Sequence, residues 1–441
     1  MTSQPAGAAD PSGETPLVTR TTLLPVDAAL SLLSLLPDLP SGELLSWVRR
    51  GEGLVGWGRA TGHTAYGPGR FAELDAWWAA RSASAVVRDD VHQPGTGPVA
   101  FGSLSYAADS AAGATLVVPQ VLVGRRGDQV WVTTATTGHA VPPTLALGAA
   151  AGARTPPHPP VDVVFGDGVR SPTQWAGVVS QAVTLITSGR LDKVVLARDL
   201  DVRTTGPIDA RSLLLRLASQ YQNTWVFAVD GLVGASPEML VRVEKGLVIS
   251  RVLAGTIRRT GDDEHDLALA GSLARSSKDL EEHEYAVRSV ADALAPHCSS
   301  MNVPESPFVL HLPNVMHLAT DVTGVLSDWT TSLALAESLH PSAAVCGTPA
   351  VVADAVITEL EGMDRGRYAG PVGWIDSSGD GEWAIALRCG QIDSEDPSRM
   401  RLFAGCGIVA GSDPQDELAE SDAKLVPMRD ALTGWRSDSL S

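Results

Sequence analysis

Thr224-Trp225-Val226-Phe227-Ala228-Val229-Asp230-Gly231-Leu232-Val233-Gly234-Ala235, followed beyond Ser236-Pro237-Glu238 by Met239-Leu240-Val241-Arg242-Val243-Glu244-Lys245-Gly246-Leu247-Val248-Ile249-Ser250-Arg251, is the stretch on which the fold turns. β-Branched and aromatic residues fill both halves, so residues 224–235 and 239–251 read as strands, the second folded back at Glu244-Lys245-Gly246. Hairpins imply antiparallel sheet. Outward from there, residues 193–204 read as a strand, and Asp209 caps a helix through Gln220. Trp175, Val178, Val179, Ala182, Val183 and Ile186 recur at three and four, a helix that stops near Gly189. A long helix is expected over 278–296, with Ser276 and Asp279 spaced as a capping box. Further strands are expected at 308–312, 315–325, 383–390 and 401–409, and helices at 331–339 and 415–433.

The N-terminal third mixes helix-like stretches (30–49, 70–84) with strand-like ones (98–106, 115–123, 129–134), an α/β part set over 21–155. Arg154-Thr155-Pro156-Pro157-His158-Pro159-Pro160 separates it from the remainder, because consecutive prolines remove donors and block helical backbone angles. Residues 1–20 are small and polar without periodicity and read as an unstructured tail.

Composition narrows the function. Lys plus Arg number 33 against 51 Asp plus Glu, a formal charge of −18 over 441 residues, which opposes nucleic-acid and anionic-membrane partners. An anionic substrate therefore needs a local basic pocket. Cys298, Cys346, Cys389 and Cys406 form no CxxC pair and read as buried reduced thiols. No window approaches the roughly 18 to 20 apolar residues of a membrane span, and residues 1–20 lack a signal peptide's basic start and apolar core, so a cytoplasmic location is expected. Gly51-Glu52-Gly53-Leu54-Val55-Gly56 matches GxGxxG, but a helix-like segment precedes it, and the plainer reading is a turn entering a strand. A GxxxxGK[ST] loop, HExxH and a GxSxG elbow are all missing.

The suggestive residues are acidic. Asp279 and Glu282 lie three apart on one expected helix, Glu417 and Glu420 three apart on another, so each pair leaves one helix face. Converging carboxylates repel unless a cation lies between them, and oxygen-only ligands favour a hard ion such as Mg²⁺. Lys424 continues the second face. Ordinary surface helices explain the same spacing, and spacing alone leaves that reading ahead. Lys193 opens the strand Lys193-Val194-Val195-Leu196-Ala197-Arg198 on the face of Val195 and Ala197; an interior face there favours the neutral amine that a general base needs. Glu238 lies at a constrained turn between strands, where burial raises a carboxyl toward the range of a general acid. A surface lysine and a turn glutamate are the plain alternatives.

A wider pattern contains these residues. Residues 191–198, 234–240, Leu253-Ala254-Gly255-Thr256, Glu282-His283, His317-Leu318-Ala319-Thr320, Leu339-His340-Pro341-Ser342, 368–374, Ala386-Leu387-Arg388 and 404–409 resemble, in order, nine motifs of the chorismate-utilising enzymes, in a catalytic region spanning about 171–430. The isochorismate synthases are the nearest branch. The resemblance implies an α/β (α+β) fold of two large antiparallel sheets packed together with helices outside. It implies Mg²⁺ held by Glu282 and Glu420, with Asp279 and Glu417 holding its waters. Gly255, Thr256, Arg388, Gly405 and Lys424 match positions that hold the substrate's carboxylates, and His317 and His340 positions that line or buttress the pocket. It assigns Lys193 as the base activating water at C2 of chorismate and Glu238 as the acid protonating the departing C4 hydroxyl, so an isomerase making isochorismate is expected.

Departures within the pattern choose among reactions. Ala254 stands where aminodeoxychorismate synthases carry a lysine, which disfavours a covalent lysine route. Ala344 stands where salicylate synthases tend to carry a threonine, which favours hydroxylation. Tyr368 and Leu387 match some lyase-active relatives, so pyruvate elimination is a side activity to test. A monomer without an amidotransferase subunit is expected. The alanine-rich composition points to menaquinone as the product's destination, with a siderophore pathway as the alternative.

Overall fold

A computed structural model describes residues 15–25, 31–143, 155–311 and 315–434. The opening stretch forms two hairpins that belong to different sheets. Asp230 and Gly231 both adopt positive φ (51° and 78°), so Trp225–Val229 turns back into Leu232–Ser236 where a single strand was expected. After Pro237 and Glu238 the chain enters the other sheet as Met239–Glu244 paired with Leu247–Arg258. Trp225, Phe227 and Val229 point into the core between the sheets. Val226 and Ala228 point the other way, toward helix Ala210–Gln220, into a second core that Leu213, Leu214 and Leu217 share with Leu425, Met428 and Leu432 of helix Pro414–Thr433. Burial on both faces accounts for the unbroken apolar run.

Among the described residues, one sheet has thirteen strands and the other ten. The first runs Val164–Asp167, Lys193–Arg203, Arg399–Ile408, Cys389–Ile392, Leu232–Ser236, Trp225–Val229, Leu44–Arg49 and onward into the N-terminal strands. The second centres on Leu247–Arg258, Met239–Glu244, Gly381–Ile385, Pro371–Asp376 and Val99–Leu104. Pairing is antiparallel throughout the described residues except between Leu17–Leu23 and Val86–Asp89, which run parallel at an edge. Leu44–Arg49 pairs with Trp225–Val229 and Val99–Leu104 with Pro371–Asp376, so the stretch before the proline run builds both sheets.

Several expectations change. Leu17–Leu23 is a strand, bonded to Gln129–Thr137 on one side, so the unstructured tail cannot extend to residue 20; residues 1–14 lie outside the described ones. The helix expected over 30–49 is two short 3-10 turns, Leu32–Leu35 and Ser41–Glu43, and the strand Leu44–Arg49. Pro37 and Pro40 interrupt it, and Leu45 and Trp47 face one core while Leu44 and Val48 face the other, which hides the period of two. A strand, Glu52–Trp57, follows Gly51, so the glycine motif is a hairpin turn. The spans 115–123 and 383–390 each divide between sheets, at Pro119-Gln120 and at residues 386–388.

Candidate active site

The chain passes from one sheet to the other at Pro237-Glu238 and again at Ala386-Leu387-Arg388, and these crossings are bonded together. The Ser236 hydroxyl donates to the Ile385 carbonyl at 2.6 Å, the Ile385 amide to the Glu238 carbonyl at 3.0 Å, and the Ala235 amide to the Arg388 carbonyl at 3.2 Å. Arg388 takes a positive φ of 50°, a costly conformation held by those bonds. Glu238 and Arg388 thus face one cavity of about 360 Å³ at the join of the sheets. A second cavity of about 400 Å³, walled by Trp47, Trp225 and Trp374, shares none of its lining residues.

Lys193 begins its strand at the cavity wall, and Val195 and Ala197 line the same wall, as alternation required. Gly255 sits at a bulge, with φ of 76°, opposite His317 and Leu318; an added Cβ would lie 3.2 Å from the Asp279 Cβ. That close approach brings strand and helix Ser277–Leu294 together. His283 secures them, its Nδ1 donating to the Ala254 carbonyl at 3.3 Å and its Nε2 accepting from the Thr320 hydroxyl at 2.8 Å. Asp279 therefore lines the cavity from its helix's first turn. Glu282 lies on the same helix, its side chain outside the described residues.

Helix Pro414–Thr433 enters from the opposite side, capped by Asp413, which accepts from the Gln415 and Asp416 amides. Glu417 and Glu420 line the cavity, and their ligand atoms and the Cys406 sulfur lie within 4.8 Å of one another. The Cys406 thiol is spent on the Glu417 carbonyl at 3.1 Å. Burial and repulsion from Glu420 raise the Glu417 pKa, and its Oε2 is buried without a partner among the described residues. Burial works against ionised Glu420 too, but Lys424 at 2.6 Å, with Arg388 and Lys193, holds its pKa below the usual value. An orphaned carboxylate oxygen beside Glu420 fits a hard cation, while Asp279 lines the same cavity without joining that close group. Lys424 also donates to the Gly405 carbonyl at 2.9 Å.

Burial pushes Glu238 up to about 7 against the lowering pull of Arg388, Lys193 and Lys424, while leaving it 7% exposed. Burial, with Arg388 and Lys424, drives His317 down to about 3. His317 is therefore neutral, sharing a 2.9 Å bond between Nδ1 and the Thr256 hydroxyl, with Nε2 unpartnered among the described residues. His340 donates to the Tyr106 carbonyl at 2.9 Å outside the cavity lining. Tyr368 stacks on Phe403 at 5.2 Å and, with Ala344 and Leu387, gives the cavity its apolar wall. Gly405 keeps that space open, since a Cβ there would lie 2.8 Å from the Leu196 carbonyl and 3.2 Å from the Tyr368 hydroxyl. Sequence reasoning missed Arg365, which also lines the cavity.

The carboxylates Asp279, Glu417 and Glu420, a poised acid and the basic side chains Lys193, Arg388 and Lys424 around one cavity define a site for a small anionic substrate. A family model described as chorismate binding enzyme matches residues 12–433, and the chain belongs to that family. It is 40% identical over 276 residues to the isochorismate synthase DhbC of Bacillus subtilis, covering 60% of this chain and 69% of the relative. It is 34% identical over 406 residues to the salicylate biosynthesis isochorismate synthase of Pseudomonas aeruginosa, covering 88% and 84%. Among solved structures, the menaquinone-specific isochorismate synthase MenF of Escherichia coli shares the fold, with a TM-score of 0.78 at 24% identity over 95% of this chain and 96% of that one.

Proposed function

We propose that this chain is a Mg²⁺-dependent isochorismate synthase, an isomerase that converts chorismate to isochorismate. The observation that carries the reading is Glu238, buried and poised near 7, in one cavity with Lys193 and the cations Arg388 and Lys424. Lys193 removes a proton from the water that attacks C2 of the ring. Glu238 gives its proton to the C4 hydroxyl as that group leaves, the ring double bonds shift, and a water departs for the one that entered. Each turnover leaves Lys193 protonated and Glu238 ionised, and exchange with solvent resets both. Arg388 and Lys424, with the backbone at Gly255, Thr256 and Gly405, hold the substrate's carboxylates. Glu282 and Glu420 would hold Mg²⁺, with Asp279 and Glu417 holding its waters, and the ion would supply charge neutralisation at the ring carboxylate.

Incubation of purified protein with chorismate and Mg²⁺, without ammonia, is expected to yield isochorismate reversibly with little pyruvate, and EDTA is expected to abolish turnover. Salicylate with stoichiometric pyruvate would make this a lyase despite Ala344, and dependence on ammonia would move it to the anthranilate-type branch. For the product's destination we read menaquinone from the alanine-rich composition, and the 34% identity to an enzyme of salicylate biosynthesis supports the siderophore-type alternative. Growth of a deletion strain is expected to recover with added menaquinone; recovery with salicylate alone would reverse that assignment. No helix among the described residues is long and apolar enough to cross a membrane.

A further inference from the structure

The strand that carries Lys193 has one continuous edge and one broken edge. On the continuous side, residues 194–203 pair with Arg399–Ile408. On the other, Gly347–Thr348 pairs only with Lys193 and Val194, and Val164–Asp167 only with residues 200–203. The Val195 amide still donates to the Cys346 carbonyl at 2.8 Å, and the gap opens at the Val195 carbonyl and takes in Ala197; both residues share the cavity face with Lys193.

Side chains complete that gap. The Ala197 amide donates to Glu361 Oε1 at 2.7 Å, Arg365 Nη2 donates to the Val195 carbonyl at 2.7 Å, and Trp175 Nε1 donates to the Ala197 carbonyl at 3.1 Å. Arg365 also donates through Nη1 to the Val345 carbonyl at 2.9 Å, next to Ala344, and through Nε to Glu361 Oε2 at 2.9 Å. The Glu361 and Arg365 side chains are only 1% and 3% exposed. An ion pair this deep is a poor source of stability, because desolvation consumes most of its attraction and apolar residues of similar volume commonly serve as well. What it supplies is direction: a planar fork with five donors, and a carboxylate with four acceptor sites.

We propose that Glu361 and Arg365 are positioning residues that stand in for a missing strand, locking the Lys193 strand to the Ala344 loop and so fixing the Lys193 amine where it meets the attacking water. Glu361 lies outside the cavity lining, and Arg365, at its wall, commits its donors to Glu361 and to the Val195 and Val345 carbonyls, so both act through Lys193. The inference rests on Lys193 being the base, so its test is a cycle that includes that residue. Glu361→Gln keeps an acceptor for the Ala197 amide but loses the charge that orients Arg365. A displacement near 1 Å in an active site costs up to about 10²-fold. The expected result is a fall in kcat of about 10- to 100-fold with KM for chorismate changed by less than about threefold, shrinking to less than about twofold when the same substitution is made in Lys193→Ala. Residual turnover of that variant is read at high enzyme concentration over long incubations.

An equal fall in both backgrounds would show a purely structural role and overturn the proposal, as would unaltered kcat in Glu361→Gln while Lys193→Ala is inactive. Full turnover by Lys193→Ala would instead sink the base assignment and this inference with it. Arg365→Lys, which keeps the charge and loses the fork, reads the same cycle if Glu361→Gln does not fold.

Discussion

Lys193→Ala is expected to lower kcat for isochorismate formation by about 10²- to 10⁴-fold, the range over which a positioned base accelerates proton transfer. That corresponds to about 3 to 5 kcal/mol of barrier. Stability should change little: Lys193 is half-buried at the first position of its strand, and its backbone pairing with Thr348 does not need the side chain. Thermal unfolding, expected within a few degrees of the parent, separates lost chemistry from lost fold. Lys193→Arg sharpens the assignment. It keeps a long basic side chain facing Glu238 and Glu420, but a guanidinium does not give up its proton in proteins, so the group cannot act as a base. Both variants are expected to be comparably inactive. Substantial turnover by Lys193→Arg would mean that the residue serves only as a charge and that water is activated elsewhere.

What the sequence made legible follows from how local each signal is. Alternation placed Lys193, Val195 and Ala197 on one face, and that face is the cavity wall. The cap before Asp279 and the spacing of each acidic pair belong to single helices and were readable there. That the starts of these two helices meet across one cavity is set by sheet order, on which no local pattern reports; the ordered motifs of a known family supplied it. The places where reading failed share a cause. Residues 383–390 present an apolar run like one strand, but the chain changes sheets at 386–388, and that change aims Arg388 into the site. Helix Ala350–Glu361, which delivers Glu361, buries a stripe of Ala353, Val356, Ile357 and Leu360, but Val351, Val352 and Ala355 add apolar residues off that face and blur it in the sequence. Its ends were nonetheless marked: Pro349 precedes it and Gly362, at φ of 64°, closes it in the left-handed conformation.

The second large effect concerns Glu238. As the acid that protonates the leaving hydroxyl it must carry a proton, and a pKa of about 7 means that this form predominates below pH 7 and is lost above it. The value of kcat/KM for chorismate, which reports the free enzyme, is expected to fall above about pH 7. His317, neutral down to about 3, does not titrate in that window. Glu238→Gln is expected to lose about 10²- to 10⁴-fold in turnover and to abolish that falling limb in whatever activity survives. Stability should move the opposite way. Because burial raises this carboxyl from 4.5 to about 7, the folded state holds the proton more tightly than the unfolded chain, so stability declines as pH rises from about 4.5 to 7. Above pH 7 the ionised, buried carboxylate costs the fold on the order of 3 kcal/mol. Glutamine carries no such cost. Glu238→Gln is therefore expected to melt a few degrees above the parent at pH 8 and close to it at pH 4.5. A variant that is both inactive and less stable at pH 8 would mean that Glu238 is ionised at rest and held by Arg388, and the protonated acid would then have to be sought in another side chain of the cavity.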